Sequence, residues 1–266
     1  MSSERYLEGL VLKVGPLGET DRLISLLSDE EGLTRLAVPG ARRPRSKMAA
    51  ALPLTFLKLQ VVGRTGLNRV RQLKVLKSFG KLGLKLETLS AAQALTDLSM
   101  MLVAHNDPVP GLLSTLLMHL ERLEALSRIS PFEQESTLAS SVQSCLHLLA
   151  LGGYGIPIQS CCKTGKPLDP PLGDWAWRCS FLPEEGFVIG ALPGAAVQLN
   201  PSELALLQIL PRPNLPFRKN GELLGPKKVW LRLLSVIQYW IKAHLNRNIK
   251  ALSMLQTSVI EEDEKN

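Results

Sequence analysis

The 266-residue sequence is short of aromatic rings, of cysteine and of long apolar runs, and for one stretch of 55 residues it has no acid at all. Each shortage excludes something. Four cysteines are too few for a disulfide framework. The longest nearly apolar run, Gly111 to Leu120, is about half of what a membrane helix needs. The opening residues MSSERYLEG carry two acids and a base with no apolar core, so no secretion signal is expected. These features together lead to the expectation of a soluble cytoplasmic protein with reduced thiols and no membrane partner. Residues 1–80 hold no Trp and only Tyr6, Phe56 and Phe79 as aromatics, which leaves little to stack on exposed bases.

Catalytic constellations are missing too. Gly165-Lys166-Pro167 lacks the Ser or Thr and the upstream Gly of a phosphate loop, and neither GxSxG nor HExxH occurs. His105, His119, His147 and His244 are scattered on or beside helical stripes and read as packing or surface residues. Glu184 and Glu185 are adjacent, and an extended strand would send them to opposite faces. No catalytic residue, no metal and no cofactor is expected, and the chain reads as a non-enzyme.

What is present is charge, unevenly placed. The formal net charge is +7, but Gly32 to Leu86 holds thirteen basic residues and no acid, while the other 211 residues carry 18 basic against 24 acidic. A solvated surface serving only solubility mixes both signs, so this block points to a polyanion, of which nucleic acid is the commonest. Its densest part, Arg42-Arg43-Pro44-Arg45-Ser46-Lys47, puts four cations in six residues around a proline that disfavours regular helix. Arg64, Arg69 and Arg71 surround an expected hairpin turn, with Arg69 and Arg71 on one face of a strand. The candidate nucleic-acid site is therefore Arg42, Arg43, Arg45, Lys47, Arg64, Arg69 and Arg71. With few aromatics nearby it should bind phosphates, with weak sequence preference and a steep salt dependence.

The pattern divides the chain. Short apolar runs at 10–14, 23–27, 33–38, 54–62 and 70–76, separated by Gly- and Pro-containing turns, read as five strands. Five strands in about 80 residues suggest a closed OB-type barrel. The basic segment Ala41 to Leu52 between strands three and four is either an exposed loop or a short helix. From Leu82 the apolar period becomes helical, with stripes through Leu82–Leu102, Leu112–Leu123 and Leu138–Leu149 and a last long helix carrying Val229, Leu233, Ile237, Trp240 and Ile241. Asn200-Pro201-Ser202-Glu203 has the form of a helix start.

Between the helices, residues 153–194 hold Cys161, Cys162 and Cys179, several prolines and the pair Trp175 and Trp177. Adjacent cysteines do not make a zinc knuckle easily, so this insert is expected to be metal-free and held by Trp175, Trp177, Phe181 and Phe187. The fold class is α+β: an OB-type barrel over 1–80, helices over 81–152, an insert over 153–194, helices over 195–256, and an acidic flexible tail over 257–266.

Several segments, in order, resemble the RecO family of bacterial recombination mediators. They are Leu10-Val11-Leu12-Lys13, Gly18-Glu19-Thr20-Asp21-Arg22-Leu23, Glu31-Gly32-Leu33 and Ala37-Val38-Pro39-Gly40-Ala41-Arg42-Arg43. Gly153-Tyr154-Gly155-Ile156-Pro157 is similar to the start of the family's zinc-ribbon insert. Tyr239, His244-Leu245 and Ile249-Lys250-Ala251-Leu252 are similar to its C-terminal helix. Where some members carry CxxCG, this chain has Cys161-Cys162-Lys163-Thr164-Gly165, and Gly190 stands where a later cysteine is expected, so the ribbon looks degenerate and its metal site lost.

The resemblance implies binding of single- and double-stranded DNA, annealing of complementary strands, and a nucleoid-associated role in DNA repair. It implies RecR as a partner, the C-terminal tail of single-strand DNA-binding protein (SSB) as a second, and RecA served indirectly through loading onto SSB-coated DNA. A site for the SSB tail is expected where a cation adjoins an apolar groove in the helices, with Arg122, Arg128, Lys227, Lys228 and Arg232 as candidates. An OB-containing RNA-binding module and a protein scaffold without direct DNA binding are the alternative classes.

Overall fold

The computed structural model describes residues 4–63 and 66–261. Five strands form where the short apolar runs place them: β1 (Glu4–Leu17), β2 (Asp21–Ser28), β3 (Gly32–Val38), β4 (Thr55–Val62) and β5 (Asn68–Ser78). β1 pairs antiparallel with both β2 and β4, β2 with β3, and β4 with β5. A short parallel contact, Leu36 with Asn68 and Ala37 with Arg69, joins β3 to β5. The order β1-β2-β3-β5-β4 returns to β1 and closes the sheet, the connectivity of an OB-type barrel. Closure leaves no long edge open to a second chain.

Side-chain alternation explains why these strands are apolar on both faces. Leu7, Val11, Ile24, Leu26, Leu36, Leu57, Leu59, Val61 and Val70 fill the barrel. Leu10, Leu12 and Leu27 point the other way, into the core of the helical body. Each of those three leucines contributes about 2 kcal/mol by leaving water, which docks the barrel onto the helices. Gly32 marks the second point of contact. Its φ is +62°, and a Cβ there would lie 2.8 Å from the backbone of Asp107, so only glycine lets the 105–108 segment close over β3.

The helical body contains α1 (Leu86–Leu102), α2 (Leu112–Leu126), α3 (Gln134–Leu151), α4 (Pro201–Ile209), α5 (Lys227–Leu245) and α6 (Lys250–Glu261). α3 is buried almost all round rather than on one stripe. Its small hydroxyl residues permit this: Ser141 and Ser144 each donate to the carbonyl four residues earlier, at 2.7 and 2.6 Å, and so need no outside partner. α4 starts on the expected box, with the Asn200 side chain accepting from Glu203 N at 3.0 Å and Asn200 N donating to the Glu203 carboxylate at 2.9 Å. α6 takes in residues 257–261, which the sequence assigned to a flexible tail, because Leu255 and Val259 continue an apolar face against the core. The rest of that expected tail, 262–266, lies outside the described residues.

The insert folds into a three-stranded sheet of β6 (Cys179–Leu182), β7 (Gly186–Ile189) and β8 (Val197–Leu199), so its last strand comes from beyond the expected boundary at 194. Phe181 and Phe187 meet at 4.9 Å between ring centroids, and Phe181 lies 6.2 Å from Trp240 of α5. Trp177 is partly buried, whereas Trp175 is 69% exposed and takes no part in the packing expected of it. Among the described residues no helix is long and apolar enough to cross a membrane.

Candidate nucleic-acid interface

The basic segment between β3 and β4 is a pinned loop, with one short 3₁₀ turn at Lys47–Ala50. The Asp21 carboxylate accepts from Gly40 N at 2.8 Å and from the Thr20 hydroxyl at 2.9 Å. Arg42 N donates to Thr20 O at 2.8 Å, and the Arg42 guanidinium reaches Gly18 O at 3.1 Å. Further along, the Ser46 hydroxyl caps the turn by accepting from Met48 N, and the Arg22 guanidinium holds the carbonyls of Ala49 and Ala51 at 2.9 and 3.3 Å. Arg45 adopts a left-handed φ of 61°, a conformation disfavoured by about 1–2 kcal/mol that these contacts hold in place. The result is a preorganised loop whose Arg42, Arg43, Arg45 and Lys47 side chains are all exposed.

β5 brings its cations to the same place. Arg69 pairs with Ala37 at the parallel junction, just before the loop leaves β3. Asp21 reports the convergence. The Gly40 N–H and then the Thr20 hydroxyl hold its carboxyl below the usual range, and the positive charges of Arg69 and Arg43 add to the effect. One carboxylate therefore lies within the field of both the loop and β5.

The structure does not treat all seven candidates alike. Arg43 and Arg69 both act on Asp21, and Arg42, Arg45 and Lys47 are exposed on the loop that leaves β3 beside Arg69. Arg71 shares Arg69's outward face, as the strand period requires, but its guanidinium lies 3.5 Å from the Glu4 carboxylate. Arg64 lies outside the described residues. Register explains the pairing of Arg71. β1 runs beside β4, so Glu8 sits opposite Lys58 and bridges it at 2.8 Å, while Glu4 reaches both Gln60 and Arg71. The acids of β1 thus cover the β4–β5 wall and leave the loop uncovered. On the far side Arg5 binds Glu31 through two nitrogens. Of the three aromatics in this region, Phe79 is fully buried, Phe56 is partly buried against the core, and Tyr6 is 65% exposed beside Gln60. Tyr6 is thus the one exposed ring among the three, and exposed cations far outnumber rings on this surface.

Sequence reading missed the staples, Asp21 and Arg22. Their signal lay in the adjacency of an acid and a base just before an apolar strand, which only the fold connects to a loop twenty residues later. In the helices, Lys227, Lys228 and Arg232 were named singly, without the acid-free stretch that contains them. The stretch Leu223–Ile260 has no acid and six Lys or Arg residues, the same signature as the first block on a smaller scale.

The helical body places the five remaining candidate cations differently. Arg128 bridges Glu124 at 2.8 Å, and Arg232 donates to both oxygens of the buried Glu203 at 2.7 and 2.9 Å. Lys227 Nζ lies 3.5 Å from the Val259 carbonyl. Lys228 is exposed on the outer face of α5. Arg122 binds Gln143 Oε1 and, at 2.7 Å, the carbonyl of Pro213. Pro213 also lines a cavity of about 360 Å³ with Met118, Leu146, Ala150, Leu151 and Ile156. Beneath it, His119 Nε2 and His147 Nδ1 share a hydrogen bond at 3.2 Å, and His147 Nε2 donates to Leu210 O at 2.8 Å. Burial first, then His147 and Arg122, push His119 down to about 3, so this pair is neutral.

The insert's thiols do not form a zinc site. Burial pushes the Cys161 thiol up, but the Thr164 hydroxyl and the N–H groups of Ile189, Thr164 and Lys163 outweigh it and bring Cys161 down to about 7. Cys179 is raised to about 12 by burial and by the two neighbouring thiols. The knuckle turn thus persists with a hydroxyl at its second ligand position, Gly190 offers no side chain, and among the described residues no three His, Cys, Asp or Glu side chains converge on a point. Tetrahedral zinc does not fit this donor set.

Comparison with known proteins decides the family. A family model described as "Recombination protein O N terminal" matches residues 1–79, and one described as "Recombination protein O C terminal" matches residues 84–253. The chain belongs to the recombination protein O family. Among its relatives is the DNA repair protein RecO of Prochlorococcus marinus (strain MIT 9303), 69% identical over 98% of this chain and 97% of that protein. The protein of that name from Synechococcus sp. (strain WH7803) is 62% identical over 96% and 95%. That of Synechococcus elongatus (strain ATCC 33912 / PCC 7942 / FACHB-805) is 32% identical over 97% and 96%. The two family models meet at residues 80–83, in the 3₁₀ turn Gly80–Leu84 that joins the barrel to α1.

Proposed function

We propose that the chain is a DNA-binding recombination mediator that works on the nucleoid in DNA repair. The barrel grips the phosphate backbone of single- or double-stranded DNA, leaves base edges free, and so permits complementary strands to anneal. With RecR it would help to load RecA onto strands coated by SSB. The observation that carries this reading is the pinned, uncovered loop Arg42–Lys47 converging with Arg69, set in a chain of this family. For the SSB tail, the apolar cavity beside Arg122 supports a site, since it sets a guanidinium next to an apolar groove. Arg128 and Arg232 already meet carboxylates.

The test is strand annealing in the presence of SSB, with DNA and RNA versions run in parallel and the Arg42→Glu/Arg43→Glu protein as comparison. Annealing of DNA, lost in the variant, supports the reading. Preference for RNA would instead make this an RNA-binding module, and retention of SSB or RecR binding without any nucleic-acid binding would make it a scaffold.

A further inference from the structure

We infer that the helical body carries a second single-strand binding track, in the groove between α5, α6 and β8, so that one chain holds two strands at once. The inference rests on the reading of the barrel as a DNA site and supplies what annealing needs beyond it, a place for the other strand. Two cavities of about 640 and 570 Å³ run together here, both lined by Ser235, Tyr239 and Gln256. One contains Arg178 and Lys228, the other Lys242 and Lys250, and neither is lined by a carboxylate. Arg232 is engaged by Glu203, but Lys228, Lys242 and Lys250 meet no carboxylate among the described residues. Fourteen helical residues separate Lys228 from Lys242, about 21 Å along α5, which spaces the cations for an extended backbone rather than for one small anion.

The floor of the groove differs from the barrel surface. Tyr239 is 42% exposed at the junction of the two cavities, flanked by the amides of Gln198, Gln238, Asn248 and Gln256. A ring between cations, with amides in reach, is the make-up of a strand channel in which bases stack while phosphates are neutralised. An acidic peptide would use the cations and leave the ring and amides idle. The barrel docks on the helices through β1 and α1, whereas the groove lies on α5, α6 and β8. A strand in the groove and a strand on the barrel loop thus occupy separate sites.

The test uses the full-length protein and a labelled oligothymidine of about eight nucleotides, short enough for one site. Titration at low salt should give two strands per chain. Lys228→Glu/Lys242→Glu/Lys250→Glu should reduce this to one, with the slope of log K against log[salt] for the lost site at about 2. Arg42→Glu/Arg43→Glu should also leave one strand, and the two sets combined none. Tyr239→Ala should weaken the second site about tenfold, with Tyr239→Phe restoring it. The triple variant should fail to capture a free oligomer while bound to an immobilised one, and circular dichroism should show it folded. Two strands on the triple variant, or one on the parent protein, would overturn the second track and leave the barrel reading standing. No strand on the parent overturns both, and an unaltered count in the barrel variant overturns the barrel site alone. Loss of polyglutamate binding with both strands retained would assign the groove to an acidic peptide and refute the inference.

Discussion

The barrel and the helical body use their cations in opposite ways. On the barrel wall each acid of β1 lies across the sheet from a base, Glu8 from Lys58 and Glu4 near Arg71, so charge is cancelled at the surface. The loop after β3 has no acid opposite it and keeps its charge, apart from the neighbouring Asp21. In the helical body two acids act from inside: Glu203 and Glu124 are nearly buried and draw Arg232 and Arg128 down onto themselves. Among the described residues, Lys228 and Lys242 on α5 and Lys250 at the start of α6 are exposed and meet no carboxylate. What a cation does is thus set by where the acids were placed, and counting cations along the chain blurs that difference.

The largest effect that would test the contrast falls in the helical body. Phe181→Ala removes a fully buried ring that joins the insert to Trp240 of α5, and should cost about 3–5 kcal/mol in a denaturant titration. Barrel affinity for DNA should stay within about twofold at a temperature where the variant is folded. A parallel loss of DNA affinity would show that the two regions are not energetically separable.

Next is the barrel loop. Read in the Lys228→Glu/Lys242→Glu/Lys250→Glu background, so that only the barrel site is measured, Arg42→Glu/Arg43→Glu should weaken DNA binding on the order of 100-fold at moderate salt and flatten the salt slope by about 2, with melting unchanged. Unchanged affinity would move the interface elsewhere.

How far the sequence carried this reading depends on how local each signal was. The strands and the capped start of α4 were legible because alternation and Asn200-Pro201-Ser202-Glu203 act over a few residues. The basic segment Ala41–Leu52 stayed open between loop and short helix, and it holds a loop with one 3₁₀ turn. The neutralisation of Arg71 by Glu4 was not legible, since 67 residues separate them and only the β1–β4 and β4–β5 registers together bring them close. The buried His119–His147 pair was hidden for the same reason: each histidine sits on a different helix and looks, alone, like a packing residue. Trp175 shows the converse, a large ring that composition assigns to a core and the short insert leaves outside. The groove on α5 shows in the sequence only as the acid-free stretch Leu223–Ile260, because its walls also come from β8 and α6, which the fold alone brings beside α5.

The histidine pair supplies a smaller effect, confined to the helical body. His119 is held at about 3 in the folded state, below the ordinary value of 6.5, so the unfolded chain binds more protons and stability falls as pH drops below about 6.5. Between pH 6.5 and 5 the loss from His119 should be about 2 kcal/mol, and His147, lowered chiefly by burial, should add in the same direction. The full contribution is present above pH 6.5. Urea titrations of the parent and of His119→Gln across this range should show a flatter pH dependence in the variant, and equal slopes would place the proton uptake elsewhere.

The smallest effect is the sharpest test of the pairing argument. Arg69 and Arg71 share one face of β5, two residues apart, and a sequence-level view makes them equivalent. Arg69 lies beside the loop, while Arg71 must leave Glu4 to reach a phosphate, and any exchange of one anion for another gains little in water. In the same Lys228→Glu/Lys242→Glu/Lys250→Glu background, Arg69→Gln should weaken DNA binding at the barrel site about fivefold to tenfold, and Arg71→Gln by no more than about twofold. Removing the acid should reverse the second result: in a Glu4→Gln background, Arg71→Gln should cost as much as Arg69→Gln. If Arg71 matters equally with Glu4 in place, the wall of β1 acids does not screen the strand, and the DNA path extends past the loop along β5.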